Sequence, residues 1–156
     1  AIIAACKAHH VPVIVDPKGT NWMKYAGADY ITPNLKEINA VLTDPIRNED
    51  ALVEQAARTV MKKFNLGNII VTRSEAGLSL VREEEIEHIP TKAQEVFDVS
   101  GAGDTVIAVF AMGIAGGLAP RDSAYLANLA AGVVVAKLGT YAVSQEELMA
   151  ALKKEK

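Results

Sequence analysis

The chain has 156 residues, half of them apolar and 22% charged, with a formal net charge of −3. This is the composition of one globular domain with a hydrophobic core, and it excludes a fibrous or disordered chain and gives no bulk attraction to nucleic acid. Cys6 is the single cysteine, which rules out an internal disulfide framework and fits a reducing compartment, and no apolar run has membrane-spanning or signal-peptide form.

The opening "AIIAACKAHHVPVIVD" reads as the end of a helix running into a buried strand, "VPVIVD" (11–16). Beginning so, and without Met, the chain is expected to be a piece of something longer. A loop, "PKGTN", leads to a short helical turn, "WMKYAG", closed by Gly27. "ADYITPN" gives a second short strand, cut off at Pro33, and "LKEINAVL" has helical spacing. Residues 49–64 form an amphipathic helix with Leu52, Ala56, Val60 and Phe64 on one face and "LG" as its stop. "NIIVTR" is a third strand. "EAGLSLVREEEIEHIP" is a hairpin around the solvated acidic turn Glu83–Glu85.

Beyond "DVSGAGD" the chain turns helical. "TVIAVFAMGIAGG" is almost wholly apolar and predicts a buried helix. A second helix starts near Pro120 and runs towards Gly139. The last opens on a capping box, Ser144 as N-cap with Glu147 three residues on, and ends in the solvated run "KKEK". Alternating strands and helices predict an α/β domain with a mostly parallel sheet. Cys6 reads as a small core residue, His9 and His10 as surface, and His88 as a strand residue. Trp22 and Tyr25 read as packing for the loop region.

The chemistry concentrates in "DVSGAGDTVIAVFA" (98–111). The first N–H groups of a helix lack partners within it, and small residues allow a ligand close approach. Gly101, Ala102 and Gly103 therefore present amides suited to an anion. The spacing is neither a P-loop nor a dinucleotide fingerprint. A carboxylate, Asp104, stands in the mouth of this turn. If the anion is a phosphoryl group in transit, the amides stabilise its charge while Asp104 accepts the proton of the attacking hydroxyl. Taken alone, the turn reads more simply with Asp104 capping a buried helix.

The wider pattern is more specific. "DVSGAGDTVIAVFA" resembles the C-terminal signature of the ribokinase-like (PfkB) carbohydrate kinases. "TPNLKE" (32–37) is similar to that family's Asn-x-x-Glu motif, and "VTRSEAG" lies between the two, as in the family. The likeness covers essentially the whole chain. It implies a ribokinase-like three-layer αβα sandwich with a mostly parallel sheet, of which this single domain, 1–156, is the C-terminal, nucleotide-binding half. The N-terminal sugar-binding half and its lid are expected to be absent, and the piece alone to be inactive.

By matching position, the resemblance implies Asp104 as catalytic base and Gly101, Ala102 and Gly103 as anion hole. Asn34, Leu35, Lys36 and Glu37 fall near the ATP phosphates, with Glu37 reaching Mg²⁺ through water. Thr72, Ser74 and Gly77 match nucleotide contacts, and Asn128 a position near adenine. Asp98 and Ser100 match a monovalent-cation site, K⁺ for example, with Ser100 in place of the more usual Thr. Lys18 in "DPKG" reads equally as a phosphate contact at a strand end or as a solvated loop lysine.

Within the family, "VDPKG", "VTRSEAGLSL" and "AAGVVVAKLGTYAVS" are most like the heptose 7-phosphate kinases. That implies D-glycero-β-D-manno-heptose 7-phosphate as acceptor, the 1,7-bisphosphate as product, and a place in ADP-heptose and lipopolysaccharide core synthesis. ATP and a sugar phosphate are the implied partners, with no nucleic acid or membrane, a cytoplasmic location, and a homo-oligomeric full-length protein. Two alternatives stay open: a kinase of this family for another sugar, and a nucleotide-binding module without catalysis of its own.

Overall fold

A computed structural model describes residues 2–91 and 96–154. Residues 92–95 and the last two residues of "KKEK" lie outside the described residues. The chain divides into two compact units, Ala1–His88 and Ile89–Lys156.

The first unit runs α1 (Ile2–Ala8), β1 (Ile14–Val15), a 3-10 turn (Trp22–Tyr25), β2 (Tyr30–Ile31), α2 (Leu35–Val41), α3 (Asp50–Phe64), β3 (Asn68–Thr72), a 3-10 turn (Ser74–Ala76) and β4 (Leu78–Val81), with β5 (Ile86–Ile89) at the boundary. The sheet order is β1-β2-β3-β4-β5. β1 pairs parallel with β2, and β2 with β3, in the registers Ile14↔Tyr30 and Ile31↔Ile69. β4 returns antiparallel to β3, and the predicted turn at Glu83–Glu85 links β4 to its sheet neighbour β5. The expected strand 11–16 shrinks to two half-buried residues. Pro12 and Pro17 bracket it and have no N–H to add to a ladder.

One apolar cluster holds this unit together. Val53, Ala56, Ala57, Val60 and Phe64 of α3 meet Ile31, Ile69, Val71 and Val81 of the sheet, with Ile38 and Val41 of α2. The buried stripe of α3 takes Val53 where Leu52 was expected, and Leu52 is half-buried. The apolar arc is wider than a single i, i+4 row, so its centre falls one residue on. The helix stops at Asn65, not at "LG": Asn65 is left-handed at φ 52° and returns its N–H to the Met61 carbonyl. Trp22 is fully buried, its ring centroid 5.8 Å from that of Phe64 and its Nε1 donating to the Gly19 carbonyl at 2.8 Å. Cys6 is half-buried and not a core residue, because α1 buries none of its side chains. His9 and His10 are exposed, as expected.

The second unit packs α4 (Ala102–Ala115) closely on α5 (Pro120–Val135), with α6 (Gln145–Lys154) against α5. α4 is not buried all round. Val106, Val109, Phe110 and Gly113 face inward, whereas Met112 is 64% exposed. The contact needs glycine at 113, where a Cβ would stand 2.6 Å from Ser123 Oγ. α5 opens on Pro120 at its first turn and ends at Val135, short of Gly139. The α6 capping box forms as read. Glu147 N–H donates to Ser144 Oγ at 3.2 Å and Ser144 N–H to Glu147 Oε2 at 3.0 Å. No helix among the described residues is long and apolar enough to cross a membrane.

Candidate active site

In the first unit the parallel strands β1, β2 and β3 deliver their C-terminal ends to one sheet edge, where ligands of open α/β sheets sit. Thr72 N–H donates to the Pro33 carbonyl at 2.9 Å, and a parallel bridge joins Asn34 to Thr72. The β1 exit joins them through Lys18, whose Nζ lies 2.8 Å from Asp16 Oδ2 and 3.6 Å from Glu37 Oε1. Lys18, Asn34, Glu37 and Thr72 are thus neighbours, although they are spread over 55 positions of sequence. The hydrogen bond to Asp16, reinforced by the Asp16 and Glu37 charges, holds the Lys18 ammonium above its usual range. Its side chain is 71% exposed, so the amine is anchored by carboxylates and still open to a ligand.

Asn34 and Glu37 form a capping box at the start of α2. Glu37 N–H donates to Asn34 Oδ1 and Asn34 N–H to Glu37 Oε2, both at 2.8 Å. One carboxylate oxygen is thereby fixed by the backbone, and Oε1 is left towards Lys18. Leu35 is half-buried against the core and Lys36 is exposed. Mg²⁺ is held by few carboxylates and keeps several waters, so a single oriented Glu37 with one oxygen turned outward suits it.

The Thr72–Gly77 turn holds a feature that sequence reasoning missed. Arg73 is a buried guanidinium, 3% exposed, between two of the expected nucleotide contacts. Its Nη1 donates to Asp50 Oδ1 at 2.6 Å and Ser79 Oγ at 3.0 Å, and lies 3.3 Å from His88 Nδ1. Its Nε donates to Asn48 Oδ1 at 2.8 Å. The Arg73 hydrogen bond holds the Asp50 carboxyl below its usual range. Positions 48, 50, 79 and 88 have no sequence periodicity that would unite them. The only signal was a charged residue at the exit of an apolar strand.

In the second unit Asp104 is not the cap of α4. The N-cap is Gly101, left-handed at φ 80°, and makes no side-chain cap. Asp104 lies two residues inside the helix start, exposed. Thr105 folds back instead, its N–H and Oγ1 both donating to the Gly101 carbonyl at 2.9 Å. A Cβ built on Gly103 meets no described atom within 4 Å, so the space beside that residue is open, whereas the Ala102 amide, expected in the anion hole, already donates to the Val99 carbonyl at 3.2 Å. Asp98 Oδ1 accepts the Ser100 N–H at 2.8 Å, and Oδ2 accepts the Gly139 N–H at 3.1 Å. Hydrogen bonds from the Ser100 side chain and then its amide, with that from Gly139, hold the Asp98 carboxyl below its usual range. This carboxylate ties the loop before the anion turn to the loop after α5. Asn128 is buried, its Nδ2 donating to the Pro90 carbonyl at 2.8 Å.

Residues 1–147 match the pfkB family carbohydrate kinases. A curated relative, the bifunctional protein HldE of Trichlorobacter lovleyi, is 49% identical over 156 residues, which are 99% of this chain and 32% of that protein. The ribokinase of Thermotoga maritima superposes with a TM-score of 0.84 at 30% identity, covering 97% of this chain and 52% of the other. The Arabidopsis thaliana ribokinase complexed with ribose and ATP gives 0.87 at 24% identity, covering 97% and 51%. The chain therefore has the ribokinase-like fold, and it spans about a third of the curated relatives it matches and half of these solved chains.

Proposed function

The chain belongs to the pfkB family of carbohydrate kinases, and from that membership we propose that it carries the nucleotide-binding and catalytic part of an ATP-dependent sugar kinase. The observation that carries this reading is the freedom of Asp104. Its carboxylate stands exposed in the first turn of α4, and the cap is made by another residue. A carboxylate so placed is open to an acceptor hydroxyl, which is what a base needs.

In this reading Asp104 takes the proton of the acceptor hydroxyl. The freed oxygen bonds to the γ-phosphorus of ATP, and the bond to the bridging oxygen breaks to release ADP. The amides of Gly101 and Gly103 stabilise the charge on the transferring group, while that of Ala102 already donates to the Val99 carbonyl at 3.2 Å. Asn34 and Glu37 serve the phosphates, with Lys36 at the exposed flank and Leu35 as the packed residue between them. Mg²⁺, when bound, neutralises phosphate charge, and Glu37 orients its water shell. Lys18 adds a cation at the same sheet edge. Thr72, Ser74 and Gly77 receive the nucleotide. Asn128 acts near adenine through the Pro90 segment it anchors. Asp98 and Ser100 would hold a monovalent cation such as K⁺, the main-chain carbonyls there serving as ligands, while the Asp98 carboxylate braces the loop by accepting the Ser100 and Gly139 amides.

The likeness to HldE supports D-glycero-β-D-manno-heptose 7-phosphate as the acceptor and the 1,7-bisphosphate as the product. The test is a calorimetric titration of the chain with Mg·ATP, alongside Asp104→Asn and Glu37→Gln. Gln at position 37 keeps a capping-box residue while removing the charge. Binding that weakens in Glu37→Gln and survives in Asp104→Asn is the expected result. Equal loss in both variants, or in neither, refutes the assigned roles.

A further inference from the structure

We propose that Arg73 and Asn48 are positioning residues that lock the Thr72–Gly77 turn in its nucleotide-receiving shape, a reading that rests on the nucleotide role proposed for that turn. A guanidinium is seldom buried without a reason, since it must be taken from water and given partners. Arg73 has four side-chain partners drawn from the loop before α3, from α3 itself, from β4 and from β5. An arginine that only filled core space would not need its main chain held as well. Here Asn48 grips both parts: its Oδ1 accepts from Arg73 Nε at 2.8 Å, and its Nδ2 donates to the Arg73 carbonyl at 3.1 Å.

The main chain of Arg73 is also the base of the turn. Its N–H donates to the Gly77 carbonyl at 2.8 Å, and its carbonyl accepts from Ala76 N–H at 3.1 Å. Within these five residues two are left-handed, Ser74 at φ 53° and Gly77 at φ 81°. Glycine adopts that conformation freely, but serine does not, and such residues persist where the surroundings over-determine them. The Asn48 clamp supplies that determination from outside the turn. His88 Nδ1, 3.3 Å from Arg73 Nη1 and 2.8 Å from the Ser79 hydroxyl, closes the ring of groups around the guanidinium. Ser79 is fully buried, so the Ser–His pair is a brace and not a nucleophile.

The experiment measures Mg·ATP affinity by calorimetry, and amide hydrogen exchange at Ala76 and Gly77, in four chains: unaltered, Asn48→Ala, Asn48→Asp and Val60→Ala. Asn48→Asp keeps an acceptor for Arg73 Nε and loses the donor to the Arg73 carbonyl, so it tests the main-chain grip if Asn48→Ala does not fold. Val60→Ala destabilises the core of the same unit away from the turn. The expected result is affinity reduced about tenfold and faster exchange in the Asn48 variants, with the affinity of Val60→Ala unchanged. If the unaltered chain binds and the Asn48 variants bind within twofold of it, the positioning role is overturned. Equal weakening in Val60→Ala also overturns it, because the effect is then general loss of stability. No binding by the unaltered chain overturns the nucleotide reading of the turn, and this inference with it.

Discussion

Two glycines two positions apart predict opposite effects on stability, and only one of them should stabilise the fold at the expense of the ligand. Gly101 is the left-handed cap of α4 at φ 80°, where an alanine Cβ costs about 1–2 kcal/mol. For a chain of this size that lowers the melting temperature by roughly 2–8 °C. Gly103 is helical, and a Cβ there meets no described atom within 4 Å. Gly103→Ala should therefore gain about 0.5–1 kcal/mol from reduced backbone freedom in the unfolded chain, a rise of roughly 1–4 °C. The same methyl enters the space through which an anion would approach the first amides of the helix. Loss of one hydrogen bond to a charged group is worth about 1.5–3 kcal/mol, or roughly 10- to 150-fold in affinity. Thermal melts followed by circular dichroism and Mg·ATP titrations on the same samples check both halves. A Gly103→Ala chain that melts higher and binds Mg·ATP as tightly as the unaltered chain would show that no phosphate uses this space, and would remove the anion hole from the proposed function.

Gly113→Ala should destabilise the second unit despite the helix propensity of alanine. The new Cβ would lie 2.8 Å from Ser123 Cβ and 3.2 Å from its Cα. Overpacking of about 1–3 kcal/mol outweighs a helix gain of about 1 kcal/mol, and Ser123→Gly in the same chain should restore part of the loss in a denaturant titration. Glu147 is held at a pKa of about 2, against an ordinary 4.5, by the Ser144 amide first and then by Lys137 and Tyr141. Its depressed folded value means that its stabilisation is complete above pH 4.5 and is lost as pH falls towards 2. Acid titration of helicity in Glu147→Gln should lack that component, and an unchanged profile would contradict the linkage.

Local signals in the sequence were the dependable ones. The capping box at Ser144, the helix opening at Pro120, the turn at Glu83–Glu85 and the arrest of β2 before Pro33 each depend on a few adjacent residues, and the structure contains all four. Asn34 and Glu37 were read from family likeness, yet their three-residue spacing is also a capping box that local rules describe. What escaped was set by distance or by competition. Asn65 took the helix stop from Gly67 because its left-handed conformation closes α3 sooner. β1 proved short because flanking prolines remove donors that hydrophobicity does not register. The Arg73 cluster joins five residues spread over 41 positions, and only the packing of α3 against β3 and β4 brings them together.

The burial of Trp22 has a spectroscopic consequence. It is the only tryptophan in the chain, it lies in the first unit, and it is sealed from water beside Phe64. Its emission should be blue-shifted in the native chain and should move to the red when that unit opens. The second unit contributes no indole, yet most of its described residues are helical. Fluorescence thus watches the first unit alone, and far-ultraviolet ellipticity the helices of both. Superimposable melts by the two probes would mean that both units unfold as one cooperative block, and separated midpoints would assign the earlier loss to a specific half.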